Sequence, residues 1–516
     1  MNKKYIPLII LSLSLLGLLD SLYLTLEHYN KIILQCYPGI FADCGKVLGS
    51  SYSEIIGIPM ALLGVIHYGL FNIVNLINIV KRIKNIRLAA LVFSIVGALS
   101  SAVFMYIQFF LIGSICIYCT ISALISFALI FLTFSYFEKE RILLFIKITG
   151  FKYRIILKNI LFLIDAERVH ETTLSLGEFF GNNRLVRNIM SFFYNHPHLG
   201  LEQKILGIDF PNPVGLAAGF DYKAKLTDFL PTLGFGFMTI GTITNLPYEG
   251  NPAPRLGRLP KSKSLLVNKG FKNEGANIIA DKLKDKSFDI PIGISIGRTN
   301  SAELDTQKKS IDDIISAFKI FEKANIQNSY YELNISCPNI IHQGSVVFDE
   351  PQKLNELLEA VDNLKLKRIV LIKMPIDKSD NATLELLKII ANHSPKGVIF
   401  GNLQKDKTHP SLHPDEVVKL KKGYYSGKPT FERSNELIKL AYKNFKKRFV
   451  IIGCGGVFTA KDAYTKIKLG ATLVQLITGL VYNGPQLVAE INMELESLLR
   501  KDGYNKISQA VGTDNN

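Results

Sequence analysis

The chain reads as a membrane four-helix bundle followed by an α/β (β/α)8 TIM barrel with a short N-terminal helical lid. Three observations carry that reading. Four apolar segments crowd residues 1–137, which hold only twelve charged side chains. From Pro211 onward, eight short apolar runs alternate with amphipathic helical stretches. Peptides rich in Gly, Asn and Ser follow those runs, where a barrel keeps its chemistry. With 516 residues, 48% of them hydrophobic, and only six cysteines, the chain is neither disordered nor stapled throughout by disulfides. The net charge of +16 is shared by both parts and forms no aromatic-interleaved basic stripe. It points to a membrane surface and to no nucleic acid.

The apolar segments cover about 5–26, 58–80, 88–112 and 117–137. Each is long enough to cross a hydrocarbon core of roughly 30 Å as a helix. The first follows Lys3 and Lys4 as a signal peptide would, but three further spans and the lack of an A-x-A-like site argue for a retained helix. Basic residues set the orientation. Lys3 and Lys4 precede the first span, Lys81, Arg82, Lys84 and Arg87 lie between the second and third, and a basic stretch follows the fourth. Only Lys31 and Lys46 lie on the other side. The positive-inside rule places both termini and the barrel in the cytoplasm, with loop 29–57 outside. The expected localisation is a multi-pass protein of a bacterial cytoplasmic membrane.

That topology puts Cys36, Cys44, Cys116 and Cys119 at the oxidising face, and Cys337 and Cys454 inside. A lone C-x-x-C such as Cys116–Cys119 also fits a structural disulfide or small packing residues. A second cysteine couple on the same side of the same bundle is more specific. A thiolate favoured at a helix start can relay a disulfide.

Cys36 and Cys44, then Gly49-Ser50-Ser51-Tyr52-Ser53, Gly57-Ile58-Pro59 and the C-x-x-C resemble the bacterial branch of the vitamin K epoxide reductase family over 1–137. The resemblance implies a bundle enclosing a quinone, with Cys119 nearest to it. Cys36 and Cys44 would pass electrons from a soluble thiol partner to Cys116. No thioredoxin-like segment occurs in the chain, so a separate thioredoxin-like partner is expected.

Residues 138–160 are Ile/Leu-rich but interrupted by Lys147, Lys152, Arg154 and Lys158. A basic amphipathic segment on an anionic leaflet and a plain connector helix both fit. Residues 161–516 make the third region. It opens with apolar and aromatic stretches and Asp165-Ala166-Glu167-Arg168-Val169-His170.

The expected barrel strands are 214–218, 237–241, 292–296, 331–335, 369–373, 398–400, 449–452 and 472–476. Helices are expected at 311–324, 351–364, 382–392, 436–446 and 460–469. After strand seven comes Gly453-Cys454-Gly455-Gly456, and after strand eight Thr478-Gly479. Glycines at both rims let backbone N–H groups approach a phosphate. Lys373 ends an apolar run, and a buried ammonium needs an anionic partner; a snorkelling rim lysine is the plainer alternative. Asn268, Asn334, Asn339 and Asn402 offer the paired donors and acceptors a planar amide or imide requires. Cys337, on a short loop, could take a proton from a carbon acid or be an inert buried thiol.

The peptide Asn212-Pro213-Val214-Gly215-Leu216-Ala217-Ala218-Gly219-Phe220-Asp221 resembles the opening of the dihydroorotate dehydrogenase family. So do Pro247-x-x-Gly250-Asn251-Pro252-x-Pro254-Arg255, Asn334-x-Ser336-x-Pro338-Asn339, Ser426-Gly427-Lys428-Pro429, Gly453-x-Gly455-Gly456-Val457 and Leu473-Val474-Gln475-Leu476. Asp165-x-Glu167-x-x-His170 and the apolar stretches beside it are similar to class 2, the membrane-associated, quinone-linked branch. The resemblance implies FMN over the strand ends, held by Ala217, Ala218, Gly219, Asp221, Thr242 and Ser295 on one side. Asn334, Lys373, Gly401, Ser426 and Gly427 hold it on the next, and Gly455, Gly456, Ile477 and Thr478 at the last rims. Dihydroorotate would be held by Asn268, Lys269, Gly270, Phe271, Asn334, Asn339, Asn402 and Leu403. Cys337 would remove the C5 proton, and a quinone reaching the lid would reoxidise the flavin.

The chain departs from class 2 at several places. Cys337 stands where that class has Ser, which favours action near neutral pH because a thiol titrates closer to it. Tyr222 replaces a Lys, Ser295 an Asn, and Gly401 and Leu403 the Thr residues flanking Asn402. The loop from Asn268 is one residue short. Two alternatives stay open: a bundle that is only an anchor, and a barrel using another acceptor or a related pyrimidine. No Rossmann fingerprint or Fe–S cysteine cluster speaks for NAD, and no metal site is expected.

Overall fold

The computed structural model describes residues 5–30, 43–81, 83–342, 346–419 and 422–515. The chain divides into two compact units, Met1–Phe145 and Ile146–Asn516.

The first unit contains α1 (Ile6–Asn30), the short α2 (Cys44–Leu48), α3 (Met60–Lys81), α4 (Lys84–Tyr106) and α5 (Ile117–Tyr136). Four helical segments, Ile6–Asn30, Met60–Lys81, Asn85–Ile112 and Ile117–Tyr136, are long and apolar enough to cross a membrane. The third includes a π turn, Ile107–Ile112, that ends at left-handed Gly113. The sequence pattern is inverted relative to a water-soluble bundle. Leu15, Leu19, Leu99, Leu124 and Phe131 point outward. Polar side chains pair inside: Ser14 Oγ with Asn72 Oδ1 at 2.6 Å, Thr133 Oγ1 with Ser94 Oγ at 2.8 Å, and Tyr68 Oη with Ser126 Oγ at 2.8 Å. Lipid supplies no hydrogen bonds, so polar groups in such helices turn to one another.

α6 (Glu138–Lys152) continues through a π turn, Tyr153–Leu157, into α7 (Lys158–Phe162). From Ile146 onward this helix belongs to the second unit. Tyr153 donates to the Val481 carbonyl at 2.9 Å, and Arg154 pairs with Glu490 at 3.3 Å. The lid helices follow. Asp165 caps α8 (Ala166–Gly181) by accepting from Arg168 N, and Asn183 caps α9 (Arg184–Tyr194). Both use the short polar acceptor that a first turn needs.

Eight parallel strands close the barrel: β1 (Val214–Leu216), β2 (Phe237–Ile243), β3 (Ile292–Ile296), β4 (Tyr330–Asn334), β5 (Ile369–Met374), β6 (Gly397–Phe400), β7 (Val450–Cys454) and β8 (Leu473–Leu476). They are ordered around the sheet as in the chain. All eight expected strands are present, with ends shifted by up to two residues. Two features escaped the sequence pattern. A hairpin, Gln203–Ile205 with Ile208–Phe210, sets Ile205, Ile208 and Phe210 against the barrel core. A three-stranded antiparallel sheet of Leu256–Leu259, Ser264–Val267 and Tyr424–Tyr425 lies outside the barrel. Both are built of strands two to four residues long, too short to show a period of two.

Candidate functional site

At the C-terminal end of the barrel, inward-facing side chains of four strands form one polar chain. Asn334 Nδ2 donates to Thr242 Oγ1 at 2.9 Å, and the Thr242 and Ser295 hydroxyls are 2.9 Å apart. Ser295 donates to Glu332 Oε1 at 2.9 Å, and Lys373 Nζ lies 3.6 Å from the same oxygen. Glu332 is fully buried and Lys373 nearly so. Glu332 is thus the anionic partner that a buried Lys373 required. Its Oε2 is buried without a hydrogen-bond partner among the described residues.

Beside this chain lies a cleft lined by Ala217 and Ala218 after β1, Lys373, Gly401, Asn402 and Leu403 after β6, and Ser426 and Gly427. Gly455, Gly456, Ile477 and Thr478 close it. The Ser426 and Thr478 hydroxyls meet at 2.8 Å. Gly455 and Gly456 have φ of +95° and +71°, the left-handed region open to glycine. A Cβ on Gly427 would meet Thr478 Cγ2 at 2.8 Å, so the wall there is bare backbone. Gly219 turns the first rim, with its N–H on the Gly241 carbonyl at 2.6 Å. Asp221 is fully buried and accepts from the backbone N–H groups of Lys223, Lys225 and Leu226. Burial pushes its carboxyl up against those bonds.

The asparagines converge around the Cys337 loop. Asn402 Nδ2 donates to Ser336 Oγ at 2.6 Å, and Ser336 N to Asn334 Oδ1 at 3.3 Å. Asn339 Nδ2 donates to the Val267 carbonyl at 3.1 Å, next to Asn268. The fully buried Asn251 donates to Asn268 Oδ1 and to the Asn339 carbonyl, at 3.0 and 2.8 Å. Asn251 was not singled out from the sequence, although it lies in Gly250-Asn251-Pro252. Glu332 was not singled out either. Burial pushes the Cys337 thiol up to about 11, against the opposing pull of an Asn339 backbone hydrogen bond and of Lys373 and Lys405. It is a thiol, not a thiolate, near neutral pH.

Lys269, Gly270 and Phe271 form a left-handed turn, with positive φ at Gly270 and Phe271. The Lys269 ammonium meets the lid. It lies 2.9 Å from His170 Nδ1, 3.3 Å from the Tyr222 hydroxyl and 4.3 Å from the Tyr222 ring centre. Loss of hydration brings Lys269 down to about 7. His170 Nε2 lies 2.9 Å from the Phe220 carbonyl, which makes it the protonated nitrogen of a neutral ring. Burial, helped by Lys269, lowers His170 to about 3. Tyr222 donates to Glu171 of α8, and Lys272 pairs with Glu167 and Glu171 at 3.1 and 3.0 Å. The lid is therefore fastened to the barrel mouth by charge.

In the first unit, Cys116 precedes α5 and accepts from Cys119 N at 3.4 Å, while Gln108 Oε1 accepts from Cys116 N at 2.9 Å. Both cysteines are free thiols. Cys44 is disulfide-bonded and packs in one cluster with Val47 and Cys116. Cys36 lies outside the described residues. No group of three metal-ligating side chains occurs among the described residues.

Residues 200–499 match the family model described as dihydroorotate dehydrogenase, and residues 8–134 that of the vitamin K epoxide reductase family. A protein of Trichodesmium erythraeum named dihydroorotate dehydrogenase (quinone) is 34% identical over 381 residues, covering 70% of this chain and 99% of its own. One of Chloroflexus aurantiacus, with the same name, is 35% identical over 354 residues, covering 66% and 95%. The crystal structure of a DHODH in complex with ferulenol, from Eimeria tenella, superposes with a TM-score of 0.57 at 25% identity, over 64% of this chain and 96% of that one. Fold and site together define an oxidoreductase of the (β/α)8-barrel class joined to a membrane redox bundle. The chain belongs to the dihydroorotate dehydrogenase family and carries a vitamin K epoxide reductase family domain at its N-terminal side.

Proposed function

We propose that the barrel oxidises dihydroorotate to orotate with a quinone as final acceptor, and that the bundle oxidises thiols at the expense of the same quinone pool. The observation that carries the barrel reading is the chain Asn334–Thr242–Ser295–Glu332–Lys373 beside the Cys337 loop. FMN fits the cleft: Gly427, Gly455 and Gly456 leave backbone where a phosphate needs N–H donors, and Ser426 and Thr478 add hydroxyls. Bound there, FMN supplies a two-electron acceptor for the hydride leaving substrate C6.

The residues divide the remaining work. Asn268, Asn334, Asn339 and Asn402 hold the planar ring by amide pairing. Cys337 takes the C5 proton. Lys373, with its charge partly offset by Glu332, would favour negative charge developing on a flavin held in the cleft. Lys269, with Gly270, Phe271 and Leu403, closes the substrate side against the lid, and Gly219, Asp221, Thr242 and Ser295 shape the flavin side. The quinone enters through α8 and α9, whose outward Phe179, Leu185, Ile189 and Phe192 are exposed.

In the bundle, a separate thioredoxin-like protein passes electrons through Cys36 and Cys44 to Cys116 and Cys119. The charge pattern supports four membrane crossings with both termini and the barrel in the cytoplasm. Regions 1–137, 138–160 and 161–516 are the working division of labour. An impermeant maleimide applied to reduced intact cells is expected to label Cys36 and Cys44 from outside; labelling only after lysis contradicts the orientation.

Anaerobic addition of dihydroorotate to the purified protein is expected to bleach the flavin bands, and added quinone to restore them. A spectrum unmoved by dihydroorotate overturns the barrel reading. Cys116→Ala is expected to leave the bleaching unchanged. Equal loss in Cys116→Ala and Cys337→Ala would contradict independent sites. Failure of the full chain to restore disulfide formation in a deficient cell would reduce the bundle to an anchor.

A further inference from the structure

Asp20 is an acid in the interior of a membrane span, and nothing described so far uses it. It sits in α1, ten residues before the helix ends at Asn30. Its Oδ2 is buried with no hydrogen-bond partner among the described residues. Ionisable side chains inside a membrane are costly, and those that persist face a functional partner. α3 and α5 bring polar groups to its side. Its carboxylate interacts with the Ser122 hydroxyl of α5. Tyr68 of α3 donates to the Ser122 carbonyl at 3.0 Å and lies 3.3 Å from its hydroxyl. One turn before Ser122, Cys119 donates its N–H to Cys116 Sγ at 3.4 Å.

The helix spacing explains the convergence. Cys119 and Ser122 are three residues apart, so they share one face of α5. α1 packs against both α3 and α5. Other titratable side chains lie nearby, among them Glu27 of α1, whose Oε2 is also buried without a hydrogen-bond partner among the described residues. On α1, Tyr23 interacts with Glu27 and with Tyr118 of α5, and on α3, His67 packs among Tyr68, Phe71 and Phe93.

We propose that Asp20 is the proton carrier of the bundle, taking the Cys119 proton by way of Ser122 and returning it to the quinone. This deepens the thiol:quinone reading and rests on it. In the net reaction two S–H bonds break and one S–S bond forms between Cys116 and Cys119. Two electrons reduce the quinone, and two protons convert its carbonyl oxygens to hydroxyls. Asp20 carries one of those protons and ends the cycle as it began, ionised. Because it acts through Ser122, Asp20 is a positioning and relay residue. Without a local base, the proton would have to leave to solvent from a site walled by apolar helices.

The test uses the full chain in lipid nanodiscs, with dithiothreitol as donor, a short-chain ubiquinone as acceptor and rates normalised to protein. Wild type is expected to reduce the quinone, and Cys119→Ser to lose the activity. If wild type is inactive, or Cys119→Ser keeps its rate, the thiol:quinone reading itself fails, whatever Asp20 does. With that control in hand, Asp20→Asn is expected to be at least tenfold slower at pH 7. The gap should narrow to under threefold by pH 9, where hydroxide substitutes for the carboxylate. Asp20→Glu should recover most of the rate, and Ser122→Ala should slow it with the same pH trend. An Asp20→Asn rate equal to wild type overturns the inference. So does a loss constant across pH and not recovered by Asp20→Glu, which marks a packing defect.

Discussion

Cys337→Ala is expected to slow flavin reduction by dihydroorotate by about 10²–10⁴-fold, the range for removing a positioned general base. The side chain is small and half-buried, so the variant should keep its fold and its flavin. The pH dependence is the sharper check. Burial holds the thiol at about 11, so the base form is the minor one at neutral pH. Its population rises about tenfold per pH unit below that value. The anaerobic reduction rate should therefore climb with pH from 7 and bend over only as pH approaches about 11. Cys337→Ser should be slower and should show no bend, since a hydroxyl does not ionise in that range. A wild-type rate that is flat from pH 7 to 10, measured by stopped flow, would contradict Cys337 as the base.

Lys373→Met is the second large effect, and it acts on both stability and rate. Lys373 is the charged partner 3.6 Å from the buried Glu332. Removing one member of a buried pair leaves an uncompensated charge and costs about 3–5 kcal/mol. It also removes the cation beside the flavin, a loss of roughly 10²–10³ in the rate of reduction. The two effects separate in a double variant. Adding Glu332→Gln to Lys373→Met should restore most of the stability, because no buried charge remains, and little of the rate. Denaturant titration and stopped-flow reduction of the same preparations test this. A double variant as unstable as Lys373→Met would show that the pair is not what the lysine contributes.

The lid supplies a contrast. The Lys269 ammonium lies over the Tyr222 ring. The contact is not legible in the sequence, because the two positions are 47 residues apart and meet only across the rim.

What sequence alone determined is whatever has a local physical cause. The four apolar helices follow from the length of their apolar runs, and the eight strands from short β-branched runs. Cys337, Lys373 and the four asparagines were legible as candidates because they stand at the ends of such runs or in the loops beside them. Tertiary structure alone decided their partners. Glu332 lies two residues before Asn334 on β4, and Asn334 pairs in register with Lys373 on β5; only that register brings acid and ammonium into one interior. Burial is likewise a property of the assembled barrel, and it pushes the Cys337 thiol up from its ordinary value to about 11. Asp20, a single acid in an apolar run, gained its significance only when α1 packed against the helix that carries Cys119. Pattern within a segment reports what it can form, and desolvation and pairing depend on what the other segments place beside it.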